Sequence, residues 1–536
     1  MSTAVLFPSA IHAASCRRPL RRWDLAAVAL VLAVQLVYFT GVIASDDFTY
    51  LDTAWHARTG RPMAGDSHDI FVRFVHWQLI HLAVAIFPHQ PWAMVLPSLL
   101  ASVAILLTLA AFARRYLDPA MAPLPVLIYG LVPVNVALAT VALPDPLATA
   151  FGWFGVYLSA GALLERDTPR AGWRCLAGGL VIAVGYNAKE TVAALVPGLI
   201  LFGLVCRAHC PWAWRRIGLI AAGAGLWVAG ETLAMACLKG DPWLHARAVV
   251  AAHEGFSSPQ IEYTPTGLVR YWTEYLRWLA DPRGDFAPMG LLLLAGLACA
   301  GFQRSPVSNL LICAVAPGLV YLSLGTAGIA HYLPLTHQPR YLVPMLPGLA
   351  LLAAIMVWQV FKLGPRARRA VIFFGPLIIL ISLIAPNRLA GRWYQARTFA
   401  AGYRLLADYL PADEPGLRVC AAHASRCRFA CVHRWLNCPE LEVISPAPAT
   451  AEEWIHRYAG AYILTTRSDS LQPSKKKHAH RCLAGRSYQI LTRFERIART
   501  EPLRDRLSTL RARLVGRPVP TDPAWAVELW RVPARR

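Results

Sequence analysis

Four stretches of this 536-residue chain set acids, bases and aromatic rings beside long apolar runs. The first begins Ser45-Asp46-Asp47-Phe48-Thr49-Tyr50-Leu51-Asp52 and continues to Phe71-Val72-Arg73-Phe74-Val75-His76-Trp77. Its two adjacent carboxylates, Asp46 and Asp47, repel each other and need a nearby cation, a hydrogen-bond donor or a task. The second is Leu143-Pro144-Asp145-Pro146, the third Tyr186-Asn187-Ala188-Lys189-Glu190-Thr191, and the fourth His337-Gln338-Pro339-Arg340-Tyr341. Each also has a purely structural reading. Asp46 can cap a helix whose dipole favours Asp47, and Asp145 between its prolines is a good N-cap. Lys189 and Glu190 can simply pair across a turn. Together the residue types suit a reaction between an anionic substrate and a hydroxyl that must lose a proton. A poorly solvated carboxylate can take that proton. Cations at Lys189 and Arg340 can stabilise charge on a departing phosphate, with Arg73, His76 and Tyr50 adding cationic and aromatic surface.

What must position these groups is a set of membrane helices. Hydrophobic residues make up 56% of the chain and charged ones only 16%, against roughly a quarter in soluble proteins. Apolar stretches of spanning length recur over the first three quarters, and in lipid such backbone must be helical. The sequence predicts about eleven spans, near residues 24–43, 92–113, 119–137, 146–164, 172–187, 190–206, 216–237, 287–303, 307–326, 341–361 and 370–386. Loop cations at Arg17, Arg18, Arg21, Arg22, Arg114, Arg115, Arg166, Arg170, Arg174, Arg207, Arg215, Arg216, Arg304, Lys362, Arg366, Arg368 and Arg369 all fall on one side under that count. The positive-inside rule makes that side cytoplasmic. The N-terminus is therefore expected inside and the segment after 390 outside. The first apolar run has a basic flank but no clear small-x-small cleavage site, and reads as an uncleaved helix.

From Gly391 onward the chain holds 25 Lys and Arg against 13 Asp and Glu, more than half of the total net charge of +22. A long segment can translocate despite such charge. The stretches Leu417–Ala421, Leu441–Ile444, Ala461–Thr465 and Ala526–Arg531 read as strands, and Ala451–Tyr458 and the region around Arg499–Leu514 as helices. The expected architecture is an α-helical polytopic membrane protein, residues 1–390, followed by a small α/β extracytoplasmic domain, residues 391–536. Cys420, Cys427, Cys431 and Cys438, with Cys482 further on, suggest one or two disulfides in an oxidising compartment. His423 and His433 interleave with them, so a zinc site is the competing reading. The basic tail points to anionic lipid head groups or a solvated surface, and not to nucleic acid, which an outer domain does not meet.

These residues resemble the membrane-embedded GT-C glycosyltransferases, in the branch of protein O-mannosyltransferases and lipid A aminoarabinose transferases. The matching pieces are Asp46-Asp47-Phe48-Thr49-Tyr50-Leu51-Asp52, Pro144-Asp145-Pro146-Leu147, Ala188-Lys189-Glu190 and Arg340-Tyr341-Leu342-Val343-Pro344, in order over about residues 20–390. The resemblance implies a GT-C-like membrane domain and a sugar donor on polyprenyl phosphate. It implies transfer to an envelope lipid, glycan or protein acceptor at the outer face of the bacterial inner membrane, with the C-terminal domain periplasmic. Family members usually open the first motif Asp-Glu with the Asp essential. Asp46 takes that place and Asp47 replaces the Glu. Asp145 falls on the second acidic motif. Lys189 stands where a cation often precedes Gly, with Glu190 in the glycine's place. Arg73 lies in a loop that often carries Lys-Pro-Pro. Asp46, Asp47 and Asp145 are thus the expected catalytic residues. Tyr50, Arg73, His76, Lys189, Glu190, Arg340 and Tyr341 are the expected substrate ligands. A single base with direct displacement implies inversion. No cofactor is expected; a divalent metal could help hold the phosphate, although no recognisable ligand set demands one.

A multi-pass transporter of a lipid-linked or small anionic substrate is the main alternative. Transporters place polar residues near the bilayer midplane, and Glu231, inside the seventh predicted span, fits that reading. The other acids gather at one surface. A scaffold presenting the outer domain is the second alternative, though eleven spans exceed what an anchor requires.

Overall fold

Backbone surrounded by lipid can satisfy its hydrogen bonds only within itself, and among the described residues each of the apolar stretches predicted to span contains helix. The computed structural model describes residues 19–41, 46–59, 72–88, 90–164, 170–206, 213–256, 265–302, 305–325, 335, 337–384, 409–410, 418–422, 441–444, 450–466, 494–500 and 527–533. In chain order the helices are α1 Arg22–Val37, α2 Asp46–Thr59, α3 Phe74–Ile86, α4 Leu96–Tyr116, α5 Pro123–Gly130, α6 Pro133–Leu138, α7 Asp145–Leu164, α8 Ala171–Ala188 and α9 Leu195–Cys206. They continue as α10 Ala213–Lys239, α11 Leu244–Phe256, α12 Pro265–Trp272, α13 Glu274–Ala280, α14 Met289–Ala300, α15 Pro306–Leu324, α16 Leu346–Lys362 and α17 Pro365–Ile384. Among the described residues five helices are long and apolar enough to cross a membrane: Trp92–Tyr116, Asp145–Leu164, Ala213–Lys239, Pro306–Leu324 and Pro339–Lys362. The stretch 119–137 is cut into α5 and α6, because Pro133 cannot continue a helix from α5 but is well placed to start the next.

The first loop carries more structure than its composition suggested. Residues 46–59 form α2, and residues 74–86 form the apolar α3, whose 13 residues rise about 20 Å, short of the ~30 Å of a hydrocarbon core. Helices α11 to α13 similarly fill the long connection after α10.

The chain divides into two compact units. The first comprises Met1–Phe39, Ala64–His76 and Pro97–Ala390; the second comprises Thr40–Met63, Trp77–Leu96 and Gly391–Arg536. In the first unit α8 is packed between α7 and α10. Glycines set both contacts. A Cβ on Gly155 of α7 would lie 2.6 Å from the Gly178 carbonyl oxygen of α8, and one on Gly179 would lie 2.7 Å from the Ile220 carbonyl carbon of α10. From the opposite side, a Cβ on Gly223 would lie 2.9 Å from the Leu176 carbonyl carbon. Such small-residue seams let backbones approach where lipid supplies no hydrophobic drive to associate. At the far end of this unit Asp24 of α1 pairs with Arg114 in the last turn of α4, and both are buried. Much of α10 and α17 instead exposes leucine, valine and phenylalanine, as lipid-facing surface should.

In the second unit the sheet runs β2-β1-β3-β5-β4, built from β1 Val419–Ala422, β2 Leu441–Ile444, β3 Tyr462–Thr466, β4 Glu495–Thr500 and β5 Val527–Arg531. Strand β1 is parallel to β2 and β3, whereas β5 is antiparallel to β3 and β4. The helix α18, Ala451–Tyr458, is capped by Thr450, whose hydroxyl accepts from the Glu453 N–H, and it buries Trp454 and Tyr458 against Cys420, Ile463 and Trp530. Two expectations are corrected. Arg499 and Thr500 are strand and not helix, because they pair with Glu528 and Val527; the remainder of that predicted helix lies outside the described residues. Cys420 is a free thiol in the sheet core and not half of a disulfide. Cys427, Cys431, Cys438, Cys482, His423 and His433 lie outside the described residues.

The glycine seams yield a prediction. Gly179→Val forces a branched side chain against α10 backbone, where overpacking costs about 1–3 kcal/mol. The thermal unfolding midpoint of the detergent-solubilised protein should fall by several degrees, while Gly225→Val, at a site with nothing within 4 Å, should leave it unchanged.

Candidate active site

Asp145 is the first residue of α7 and is wholly buried. The Pro144 carbonyl starts the helix by accepting from the Ala148 N–H at 2.9 Å. The capping expected of Asp145 is not what its carboxylate does. Oδ1 accepts from Lys189 Nζ, and Oδ2 meets no hydrogen-bond donor among the described residues. Lys189 ends α8 in extended conformation, is 4% exposed, and holds its ammonium 4.6 Å from the centroid of the Tyr341 ring. A cation there also complements the α8 C-terminus. Burial is the largest influence on this lysine; with Arg340 and Arg73 near and Asp145 opposing them, it brings the ammonium down to about 8.

Lys189 is followed by a 3-10 turn, Glu190–Ala194, and Glu190 faces the other way. Arg73 donates to it through two parallel bonds, Nε to Oε1 at 2.9 Å and Nη2 to Oε2 at 3.0 Å. Arg73 and Glu190 thus bind each other. Three residues absent from the expected site complete this network. Asn187 accepts from the Val75 N–H at 3.0 Å and donates to the Val72 carbonyl at 3.1 Å and to Glu231 Oε1 at 2.7 Å. His245 lies 2.5 Å from the same Glu231 oxygen and 3.9 Å from Glu190 Oε1, with its ring stacked on Tyr186 at 4.9 Å. Glu231, the buried acid that suggested transport, is therefore engaged by neighbouring helix ends. Its position inside an apolar span is a visible signal; Asn187 is visible only as a member of the third polar stretch, and His245 offers no signal.

Arg340 and Tyr341 lie on a second 3-10 turn, Pro339–Met345. Arg340 Nε donates to Gln338 Oε1 at 2.6 Å, and its guanidinium carbon is 5.8 Å from the Tyr341 ring. The turn is fixed to α7 by Trp153, whose indole N–H donates to the Pro344 carbonyl at 2.7 Å. Before the turn, His337 stacks on Tyr271 at 3.8 Å and touches Tyr275 at 4.6 Å. His76, fully buried in α3, places Nε2 3.1 Å from the Ala142 carbonyl, which requires the proton on Nε2. The first unit thus brings together Asp145, Lys189, Glu190, Arg73, His76, Arg340 and Tyr341.

Asp46, Asp47 and Tyr50 belong to the second unit. All three stand in the first turns of α2, with Asp46 half-buried and Asp47 and Tyr50 fully buried. Two acids at a helix N-terminus are favoured by its dipole. Further along, Asp52 reaches His56 at 3.4 Å. Among the described residues no group of three or more His, Cys, Asp or Glu side chains is arranged to hold a metal ion.

Residues 74–229 match the sequence model of the dolichyl-phosphate-mannose-protein mannosyltransferase family. No curated protein sequence matches the chain. The fold is similar to the crystal structure of ArnT from Cupriavidus metallidurans bound to undecaprenyl phosphate, at a TM-score of 0.57 and 13% identity over 96% of this chain and 99% of that one. The apo state of that protein is similar at a TM-score of 0.53 with 13% identity and the same coverage. The oligosaccharyltransferase of Archaeoglobus fulgidus in complex with Zn and sulfate is similar at a TM-score of 0.51 and 11% identity, over 83% of this chain and 68% of that one.

The Asp145–Lys189 pair is directly testable. Lys189→Met leaves a buried carboxylate without its cation, a loss of about 3–5 kcal/mol. Unfolding in detergent should show a marked loss of stability for that variant. The double variant Asp145→Leu with Lys189→Met, which removes both charges, should recover part of it; a double variant weaker than the single one would contradict the pairing.

Proposed function

We propose that this chain is a GT-C membrane glycosyltransferase that moves a sugar from a polyprenyl-phosphate donor to an envelope lipid, glycan or protein acceptor. The reaction takes place at the outer face of the bacterial inner membrane, with the C-terminal unit in the periplasm. The observation that carries this reading is the buried Lys189 ammonium, held between Asp145 and the Tyr341 ring with Arg340 near by. A cation kept this dry stabilises phosphate charge far better than one in water. The Tyr341 ring face and the apolar helices around it suit a lipid-linked phosphate.

In the proposed step the acceptor oxygen attacks the anomeric carbon as the bond to the donor phosphate breaks, with inversion. Polyprenyl phosphate leaves as an anion and needs no strong general acid. Lys189 and Arg340 meet the charge it gains. The acceptor proton passes to a carboxylate. Asp46 takes that role on the strength of its motif, and Asp145, with Oδ2 open to a donor, orients the acceptor or shares the proton. Arg73 and Glu190 act as a pair that shapes the site, and no step is assigned to a metal.

Four measurements test this. Mass spectrometry of envelope lipids, glycans and proteins, with and without the gene, should reveal a one-sugar difference in one acceptor class. Asp46→Asn should abolish that difference while membrane insertion and protein amount stay unchanged; full transfer by the variant would remove Asp46 as the base. Lys189→Ala and Arg340→Ala should each weaken undecaprenyl phosphate binding by about 10–100-fold, as expected for a lost charge-assisted bond. The pH dependence has a definite sign. Lys189 is cationic below its value of about 8, so binding is full there and declines as pH rises above it. Lys189→Arg, permanently charged, should erase that decline.

A further inference from the structure

The groups behind Glu190 form a closed ring whose members the reaction does not use. Starting from the 72–76 backbone, it runs through Asn187 on α8, Glu231 on α10, His245 on α11 and Glu190 on the 3-10 turn, then returns to the same segment at Arg73. The orientation of the Asn187 amide is dictated by its partners. Only its oxygen can meet the Val75 N–H, and both amide hydrogens are taken by the Val72 carbonyl and Glu231. The charges close as well. Glu190 and Glu231 supply two negatives, Arg73 one positive, and the ring is neutral only when His245 is an imidazolium. Asn187, Glu231 and His245 are buried and Arg73 and Glu190 are largely covered, and an uncompensated charge withdrawn from water is costly.

We infer that His245 and Glu231 are positioning residues: through Asn187 and Glu190 they hold residues 72–76, and with them Arg73 and His76, against the Asp145–Lys189 pair. The functional part of this inference rests on reading that pair as the donor site. His76 ties the same segment to the Ala142 carbonyl, three residues before Asp145, so the segment is fixed at both ends. The groups facing His245 are Glu231 from α10, Glu190 from the 3-10 turn and the Tyr186 ring from α8. Arg73 stands behind Glu190. Burial pulls the imidazolium down, and the two carboxylates more than reverse this, lifting His245 to about 9. Because the folded value exceeds the ordinary 6.5, the contribution of the ring is complete below 6.5 and is lost as pH rises through about 9.

Amide hydrogen exchange on the full detergent-solubilised chain, with no substrate present, tests the ring without any transfer reaction. Exchange at 72–76 should rise about ten-fold or more in His245→Gln and in the nearly isosteric Glu231→Gln, while buried 349–354 of α16 stays protected. After correction for intrinsic rates, the native chain should lose protection at 72–76 in a step near pH 9, and His245→Gln should lack that step. Unchanged protection in both variants, a step that survives His245→Gln, or equal loosening at 349–354 would overturn the inference. In a transfer assay with an undecaprenyl-phosphate-linked sugar, both variants should lower kcat with the donor KM little changed; a raised KM alone would refute positioning. A native chain that transfers nothing would refute the sugar-transfer reading and leave the exchange result standing.

Discussion

Asp145 and Lys189 are each held away from water by the fold, and neither is tolerable there without the other. In a low-dielectric interior the penalty for one bare charge exceeds what most single contacts return. The start of α7 and the end of α8 must therefore meet, and with them the proline-flanked turn that leads into α7 and the 3-10 turn that follows α8. Trp153 then carries the constraint across to the 3-10 turn bearing Arg340 and Tyr341. The same rule acts at the other end of the first unit, where Asp24 and Arg114 close the ends of α1 and α4.

A large part of this was legible in the residues. Apolar runs became helices because lipid leaves the backbone no alternative, and Pro133 marked the break between α5 and α6. Asp145, Lys189, Glu190, Arg73 and Arg340 stand out as charges beside apolar stretches, with Tyr341 the ring next to Arg340, and they do lie together in the first unit. Their pairing was less legible. Lys189 and Glu190 are neighbours that could have bonded to each other; instead the extended backbone at Lys189 sends them to opposite partners, Asp145 and Arg73.

Other features left no trace. An asparagine at a helix end and a histidine on an amphipathic helix are ordinary residues, and only the folded positions of Glu231 and Val72 reveal why Asn187 and His245 matter. Helix α3 is too short for a span, so its sequence alone reads as loop. Arg499 and Thr500 follow a helical pattern locally, but strand pairing with β5 overrides it. Cys420 looked like a bridge because other cysteines follow closely; its place in the sheet core, beside Trp454 and Trp530, makes it a small apolar filler.

The glycine seams on both sides of α8 limit how this molecule can move. Helices that touch backbone to backbone cannot slide or rotate past each other without separating first, since no side chain is present to yield. Helices α7, α8 and α10 consequently travel as a single body, and they carry Asp145, Lys189 and Glu231 with them. Any rearrangement within the first unit has to be accommodated by the connections and by the lipid-facing helices outside this trio.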